Sequence, residues 1–228
     1  MFLFSVQHIS AWCLRMSSFY LQNANGPSAE ALLSFRDLTL VLILPICFGV
    51  LSWLLFLLRE TPTVRFYLEN QILECIWTLT PALLLLLLAA PSLSLLYLMD
   101  EVGFPSSTLK VQGHQWYWVY EDCDLGLFST ESYLRRGPFR LLNTDSSLIV
   151  SSSLVLRFLV TAADVLHSWA LPSCGLKADA VPGRLNSLST YLDRPGIYYG
   201  QCSEICGSNH SFMPISVQVL PSANWPLL

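Results

Sequence analysis

Two long stretches without a charged residue constrain this chain more than any other feature of its sequence. The first runs from Leu38 to Leu58 and the second from Ile76 to Met99. At the rise of an α-helix, about 20 residues are enough to cross roughly 30 Å of hydrocarbon. A buried helix of a soluble core is the alternative, but few such helices are so long and so free of charge. With 53% hydrophobic and 12% charged residues among 228, the chain is expected to span a membrane.

The two spans predict a transmembrane helical hairpin. The segment between them, Arg59 to Cys75, has room for a short loop and the helix ends, but not for a domain. Prolines inside the spans are tolerated where neighbouring helices satisfy the freed carbonyl groups, so helical partners are expected in the lipid bilayer. These prolines are Pro45, Pro81 and Pro91.

The hairpin divides the chain into three predicted parts. Residues 1–35 form an N-terminal segment, 36–101 the hairpin and 102–228 an extramembrane domain. A hairpin leaves both ends of the chain on one side of the membrane. Arg59 and Arg65 weakly favour the inner side for the loop. Because Arg15 comes late for the basic start of a secretory signal, the first residues are interpreted as an extension.

After Asp100 the sequence changes to short apolar and β-branched runs separated by turn residues. Asp145-Ser146-Ser147 and Asp193-Arg194-Pro195-Gly196 are examples of these turns. The runs predict a small β-sandwich or Greek-key barrel. No glycine-rich phosphate loop is present, so neither nucleotide chemistry nor a nucleic-acid partner is expected. The predicted strands are Leu109–Tyr120, Leu148–Val150, Leu154–Thr161, Ile197–Gln201 and Ile215–Leu220.

Four side chains with affinity for metals lie close together near the end of the chain. They are Cys202, Cys206, His210 and Met213. Thiolate, imidazole and thioether suit copper better than magnesium or calcium, which prefer oxygen, and better than zinc, which seldom binds a thioether. The run therefore predicts a redox metal.

A disulfide between Cys202 and Cys206 is the simplest alternative to a metal site. The nearby His210 and Met213 favour the metal, because a disulfide needs neither imidazole nor thioether. The other five cysteines are interpreted as structural. They are Cys13, Cys47, Cys75, Cys123 and Cys174.

A second imidazole is expected from His167, in a loop just after the strand that ends near Thr161. His8 and His114 are poorer candidates. A mononuclear blue-copper site uses one cysteine, so a second thiolate favours two copper ions bridged by both sulfur atoms. In this arrangement Met213 and a backbone carbonyl, most simply that of Glu204, complete the two coordination spheres. Such a site relays electrons and binds no substrate.

Three motifs resemble subunit II of haem-copper cytochrome c oxidase. They are Cys202–Met213, Asp164–Trp169 and Gly113-His114-Gln115-Trp116-Tyr117-Trp118. The resemblance implies a two-helix hairpin carrying a cupredoxin-like Greek-key β-barrel with a dinuclear copper centre, CuA. It also implies that cytochrome c delivers electrons to CuA, which passes them to haem a in subunit I for reduction of oxygen to water, coupled to proton pumping. The implied copper ligands are His167, Cys202, the Glu204 carbonyl, Cys206, His210 and Met213.

The resemblance implies roles for further residues as well. The Glu204 carboxylate would bind a magnesium ion shared with subunit I, and Trp116 would receive the electron. Trp116, Trp118 and Tyr120 are expected on one face of a strand, where the last two are most simply core residues. The net charge of −4 suits a basic cytochrome c.

Docking and proton-path residues are also implied by the resemblance. Glu121 and Asp164 are candidate docking residues, and a solvated acidic face is the alternative. Glu74 is a candidate entrance of a proton path, and a solvated carboxylate at a helix N-terminus is its alternative.

The resemblance implies a multi-pass protein of the mitochondrial inner membrane, with its N-terminus and copper domain in the intermembrane space and the other oxidase subunits as partners. A bacterial plasma membrane would satisfy the same physics. Three other functions would each account for part of the sequence. A quinol oxidase subunit would lack the copper ligands, a membrane-tethered thiol-disulfide protein would need only the two cysteines, and a zinc-stabilised anchor would be colourless.

Overall fold

The computed structural model describes residues 21–59, 69–100, 103–124, 126 and 129–221. Residues 1–20 of the predicted N-terminal segment, with His8, Cys13 and Arg15, lie outside the described residues, as does Arg65. Two long helices come first in the chain. Helix α1 spans Pro27–Arg59 and helix α2 spans Gln71–Asp100.

Local signals explain where the helices begin. Pro27 is the first residue of α1, where its missing N–H group costs nothing. The Asn70 side chain accepts a hydrogen bond from the Leu73 N–H at 3.1 Å and so caps α2. The helices continue through the three prolines at positions 45, 81 and 91, as the sequence predicts. No residue in the most apolar window of either helix is buried, unlike the core helix of a soluble protein.

The chain divides into two compact units. Leu32–Tyr97 forms the helical unit, and the described residues on either side of it, 21–31 and 98–221, form the other. The predicted division at residues 35 and 101 stays a prediction.

The described residues of the second unit form ten strands in three sheets. A five-stranded sheet has the order β3-β2-β1-β5-β8, a three-stranded sheet the order β4-β10-β9, and β6 pairs with β7. The strands are β1 Ser107–His114, β2 Tyr117–Asp122, β3 Ser129–Ser132, β4 Leu148–Ser151, β5 Val155–Ala162, β6 His167–Leu171, β7 Leu176–Ala180, β8 Asn186–Tyr191, β9 Gly196–Gln201 and β10 Pro214–Leu220.

Alternating apolar residues explain why the large sheet folds onto a core. In β5, Leu156, Phe158 and Val160 are buried while their neighbours are partly exposed. β1 shows the same alternation and pairs with β5 in parallel. Trp118 and Trp169 are fully buried in this core, and the Trp169 ring lies 5.0 Å from that of Phe158.

Strands β4, β5, β9 and β10 confirm four of the predicted strands to within a residue or two. The prediction of one strand over Leu109–Tyr120 is wrong, because the chain turns back at Gln115 and Trp116 and β1 pairs antiparallel with β2. Trp116 therefore lies in a turn, not on a strand face with Trp118 and Tyr120. Strands β3, β6, β7 and β8 were not predicted.

A candidate metal centre

Two parts of the β unit carry the candidate ligands. His167 is the first residue of β6 and is fully buried, so the prediction that a loop carries it is wrong. The other ligands lie in the loop between β9 and β10, which is closed by the pairing of Gln201 with Pro214. The Ser203 N–H donates to the Ser168 carbonyl at 3.0 Å and ties this loop to β6. The fold thus brings together two segments more than 30 residues apart in the chain.

One half of the site is formed by His167, Cys202 and Glu204. The Cys202 Sγ lies 4.0 Å from Nδ1 of His167 and 3.4 Å from the Glu204 carbonyl oxygen. Imidazole, thiol and carbonyl groups therefore converge on one point, as the resemblance implies.

The other half is formed by Cys206, His210 and Met213. The Cys206 Sγ lies 3.5 Å from Nδ1 of His210 and 3.5 Å from Sδ of Met213. A short 3₁₀ turn, His210–Phe212, carries the histidine back over the second cysteine. Candidate ligand atoms of His167, Cys202 and Cys206 lie within 4.8 Å of one another, so the two halves form one cluster.

Burial differs across the cluster. His167, Cys202, Cys206 and Met213 are all buried, whereas His210 is only half-buried. Both cysteines are free thiols. The cluster is therefore shielded from water on most sides and reaches toward solvent on the side of His210.

The two thiols have opposite pKa shifts. Burial raises the pKa of Cys202, but hydrogen bonds with His167 and with the backbone at Ser168 and Glu204 outweigh it and bring the pKa down to about 7. Burial and the nearby charge of Cys202 raise the pKa of Cys206 to about 12. Burial opposes a charge on His167, yet hydrogen bonds with Cys202 and Asp164 leave its pKa raised. One thiolate forms readily, and the second needs a cation to replace its proton.

The Asp164 carboxylate contacts Nε2 of the buried His167, the ring nitrogen that is not directed at Cys202. Its Oδ1 lies 2.8 Å from Nε2 of His167 and accepts the Val165 N–H at 2.6 Å. Its Oδ2 accepts the Gln115 N–H at 2.7 Å. Burial would raise the pKa of Asp164, but these hydrogen bonds and the charge of His167 lower it. The remaining ring nitrogen, Nδ1, is the one directed at Cys202.

The turn between β1 and β2 packs against the ligand loop. The Gln115 side-chain amide donates to the Cys206 carbonyl at 2.8 Å, and the half-buried Trp116 donates its indole N–H to the same oxygen at 3.2 Å. The buried Trp118 donates to the Met213 carbonyl at 3.3 Å. The predicted electron-receiving Trp116 is thus bonded directly to the backbone of a candidate ligand.

Two glycines leave the space that this arrangement needs. A Cβ on Gly113 would lie 2.9 Å from Cδ2 of His167. Gly207 has φ +119°, and a Cβ there would lie 3.1 Å from the Trp116 ring. Neither position accepts a larger side chain without moving its aromatic neighbour.

The other predicted site residues lie outside the cluster. Glu121 is in β2, where its carboxylate pairs with Lys110 Nζ at 2.8 Å. Glu74 is in the first turn of α2, within the separate helical unit.

Comparison with known families decides the relationship. Residues 107–220 match the model of the periplasmic domain of cytochrome c oxidase subunit II, and residues 15–95 match the model of its transmembrane domain. The chain belongs to the cytochrome c oxidase subunit II family.

Solved structures of other subunit II domains agree. The periplasmic domain of subunit II from Bradyrhizobium japonicum is 42% identical, with a TM-score of 0.53, over 56% of this chain and 93% of that one. A second structure, a mixed disulfide intermediate between a thioredoxin-like protein and subunit II of cytochrome c oxidase, is 41% identical, with a TM-score of 0.50, over 56% of this chain and 90% of that one.

Family membership confirms the predicted fold class. This subunit II is a membrane-anchored protein with two apolar helices followed by a cupredoxin-like β domain. Because the matches cover both units of the chain, the membrane anchor and the β domain belong to one protein architecture.

The donor set of this subunit II fits the metal that its family binds. The cluster offers thiol, imidazole and thioether groups together with one carbonyl oxygen. These soft and intermediate ligands suit copper, and their number exceeds what a mononuclear site uses. An oxygen-seeking cation such as magnesium would find only one oxygen among the clustered atoms.

Sequence reasoning missed the residues of subunit II that surround the ligands. The sequence indicates Gln115 and Gly113 only as parts of a motif, and Asp164 only as a motif residue and a candidate docking residue. The three-residue spacing of Asp164 and His167 is the sequence signal that could have indicated the contact between their side chains. Nothing in the sequence indicates that Gln115 reaches the Cys206 carbonyl, since that contact depends on how β2 folds back on β1.

Proposed function

We propose that this subunit II accepts electrons from cytochrome c at a dinuclear copper centre, CuA, and passes them to haem a in subunit I. Oxygen is reduced to water there, coupled to proton pumping, and this chain alone does not reduce oxygen. The observation that carries the proposal is the convergence of six candidate ligands, two of them cysteine thiols, in one shielded cluster. The ligands are His167, Cys202, the Glu204 carbonyl, Cys206, His210 and Met213.

A copper pair bound by these six ligands would supply a centre for one-electron transfer. Hydrogen bonds within the protein orient the candidate ligands before a metal binds. Asp164 orients His167 so that Nδ1 faces the cluster, and the β1–β2 turn holds the backbone of Cys206. Burial of Cys202 and Met213 keeps water away from the ligand sulfur atoms. A rigid, dry site lowers the reorganisation that accompanies each electron transfer.

Trp116 is the proposed point of electron uptake. Its side chain is half-buried and its indole is bonded to the Cys206 carbonyl at 3.2 Å, so a surface aromatic ring and the ligand loop are in direct contact. Glu121 and Asp164 are proposed docking residues for a basic cytochrome c, because both carboxylates are partly exposed. Trp116→Phe is expected to slow electron uptake from cytochrome c without changing the copper content.

Further parts of the proposal involve partner subunits. The Glu204 carboxylate, whose carbonyl faces Cys202, is proposed to bind magnesium shared with subunit I. Glu74, exposed in the first turn of α2, is proposed as the entrance of a proton path into subunit I. Other oxidase subunits would complete the complex around the membrane anchor.

The mitochondrial inner membrane is the proposed location. Membrane anchoring agrees with the two apolar helices and the transmembrane family match. The N-terminus and the copper domain would then face the intermembrane space. A fluorescent or protease-accessibility tag at each terminus tests this topology, because both termini should become accessible when only the outer membrane is opened.

The thiols of Cys202 and Cys206 support one additional step before metal binding. Their sulfur atoms lie within 4.8 Å, a separation from which a disulfide forms with a small movement. A related subunit II forms a mixed disulfide with a thioredoxin-like protein. We propose that a thioredoxin-like dithiol reduces a Cys202–Cys206 disulfide, yielding two thiols here and a disulfide in the partner.

Copper loading of the purified full chain tests the main proposal. We expect two copper ions per chain and an electron paramagnetic resonance spectrum with one unpaired electron coupled equally to both nuclei. His210→Ala should abolish that spectrum, whereas His114→Ala, the matched control that removes an imidazole outside the cluster, should preserve it. One copper ion per chain, or a preference for zinc without visible colour, would contradict the proposal. Thiol titration before loading distinguishes a disulfide from free cysteines.

A further inference from the structure

A chain of hydrogen bonds connects the two halves of the cluster on the side away from the ligand atoms. It begins at His167, passes through Asp164 and Gln115, and ends at the carbonyl of Cys206. Each link is short, at 2.8, 2.7 and 2.8 Å in that order. A second route joins His167 to Cys206 through the Cys202 thiol, but that route runs through the candidate ligand atoms themselves.

The residues joined by this chain of hydrogen bonds come from three separate places in the fold. Asp164 precedes β6, Gln115 is in the β1–β2 turn, and Cys206 is in the β9–β10 loop. These three segments are far apart in sequence, so local structure within one of them cannot fix the position of the other two. The hydrogen bonds therefore fix the distance and orientation between segments that must both deliver ligands.

The carboxylate of Asp164 is fully used in this arrangement. Oδ1 accepts from Val165 N–H and contacts Nε2 of His167, while Oδ2 accepts from Gln115 N–H. Docking of a basic partner would by itself require none of these contacts. The Glu121 carboxylate is the contrast, because its one described hydrogen bond is the bond that it accepts from Lys110 Nζ.

We propose that Asp164 and Gln115 are positioning residues that hold His167 and Cys206 in the geometry required by the copper pair. This inference rests on the proposed function. Asp164 fixes the imidazole so that Nδ1 is the free ligand atom, and the Gln115 amide holds the loop through the Cys206 carbonyl. Hydrogen-bonded partners of metal ligands typically contribute about 10–100-fold to metal affinity.

Two variants that each remove one negative charge, Asp164→Ala and Glu121→Ala, test whether Asp164 positions His167. Each variant removes one partly exposed carboxylate, but of the two only Asp164 contacts a candidate ligand. We expect Asp164→Ala to lower copper affinity about 10–100-fold and to make the electron coupling to the two copper nuclei unequal, while Glu121→Ala leaves both unchanged. Asp164→Asn, which retains an acceptor oxygen for His167, should recover most of the loss.

A readout without metal accompanies these measurements. In the full chain labelled with ¹⁵N-histidine and free of copper, the Nε2–H of His167 should give a signal protected from solvent exchange, because it is buried and bonded to Asp164. Asp164→Ala should abolish that protection, whereas Glu121→Ala should retain it. This signal does not depend on the number of copper ions, so it tests the positioning role even if the proposed function fails.

Gln115→Ala tests whether the Gln115 side chain positions Cys206. The Gln115 residue is exposed, so truncation leaves the core intact. We expect altered copper coupling with the His167 Nε2–H signal preserved, since only the link to Cys206 is removed. The inference is overturned if Asp164→Ala behaves like Glu121→Ala in all measurements, or if Gln115→Ala leaves the copper spectrum unchanged. Failure of the unmodified chain to bind two copper ions would instead overturn the proposed function.

Discussion

Replacing Gly113 by alanine is expected to destabilise the β domain by pushing on the buried ligand His167. An added Cβ would lie 2.9, 3.0 and 3.1 Å from Cδ2, Cγ and Cβ of His167. Carbon atoms pack best at about 3.5–4.0 Å, so the ring would have to move by roughly 0.5–1 Å. It cannot move freely, because Asp164 holds Nε2 and the Trp118 ring packs edge-on at 5.9 Å.

The size of the effect follows from two opposing terms. Overpacking a core costs about 1–3 kcal/mol, whereas replacing a strand glycine by alanine returns about 0.5–1 kcal/mol of conformational entropy. The net loss of unfolding free energy is therefore about 0.5–2 kcal/mol, which lowers the melting temperature of a domain of this size by about 2–8 °C. Near-ultraviolet circular dichroism of the detergent-solubilised full chain measures the transition.

Two controls separate the contact with His167 from other causes. Gly103→Ala adds the same methyl group where the nearest atom is 3.9 Å away, so the melting temperature should hardly change. In a His167→Ala background the ring atoms are gone, and Gly113→Ala should cost at least about 0.5 kcal/mol less than in the native background. An equal loss in both backgrounds would refute the reasoning, because it would place the cost in the backbone of β1.

Three further substitutions probe other contacts. Gly207→Ala should lower the unfolding free energy by about 1 kcal/mol or more and weaken copper binding, because Gly207 has φ +119° and an added Cβ would press on the Trp116 ring. Melting curves recorded with and without copper would measure both effects. Trp118→Phe keeps an aromatic ring but removes the N–H donated to the Met213 carbonyl, so the unfolding free energy should fall by about 0.5–1.5 kcal/mol, and an unchanged melting temperature would contradict this. Asn25→Ala removes a buried amide that bonds three backbone groups of the β8–β9 turn, so about 1–3 kcal/mol should be lost in the same assay, whereas Asn23→Ala, at an exposed position, should have no effect.

The apolar helices and the cluster of candidate ligands could be predicted from sequence because each carries a local signal. An uncharged apolar run identifies a candidate span by itself, and four candidate ligands lie within one loop. Strands with clear alternation or strong turn residues, such as β5 and β10, were found for the same reason.

The rest depends on how distant segments meet. The boundary between β1 and β2 was missed because Gln115 and Trp116 are not typical turn residues. β6 was missed because all five of its residues are buried, which removes the alternation, and β8 because it is mostly polar. The second role of Asp164 was missed because a contact with Gln115 exists only after β1, β2 and β6 have assembled.

The separation of His167 from the other ligands has a consequence for the order in which the protein matures. An unfolded chain already carries Cys202, Cys206, His210 and Met213 within one short segment, a partial ligand set that can capture a metal ion before any strand has paired. The fifth candidate side chain joins them only when β6 lies beside β9, in a unit that also contains the parallel pairings of β1 with β5 and of β4 with β10. Such non-local pairings form slowly. A metal ion that binds before β6 is seated would therefore meet four of the five candidate side chains, and one supplied after folding would meet all five.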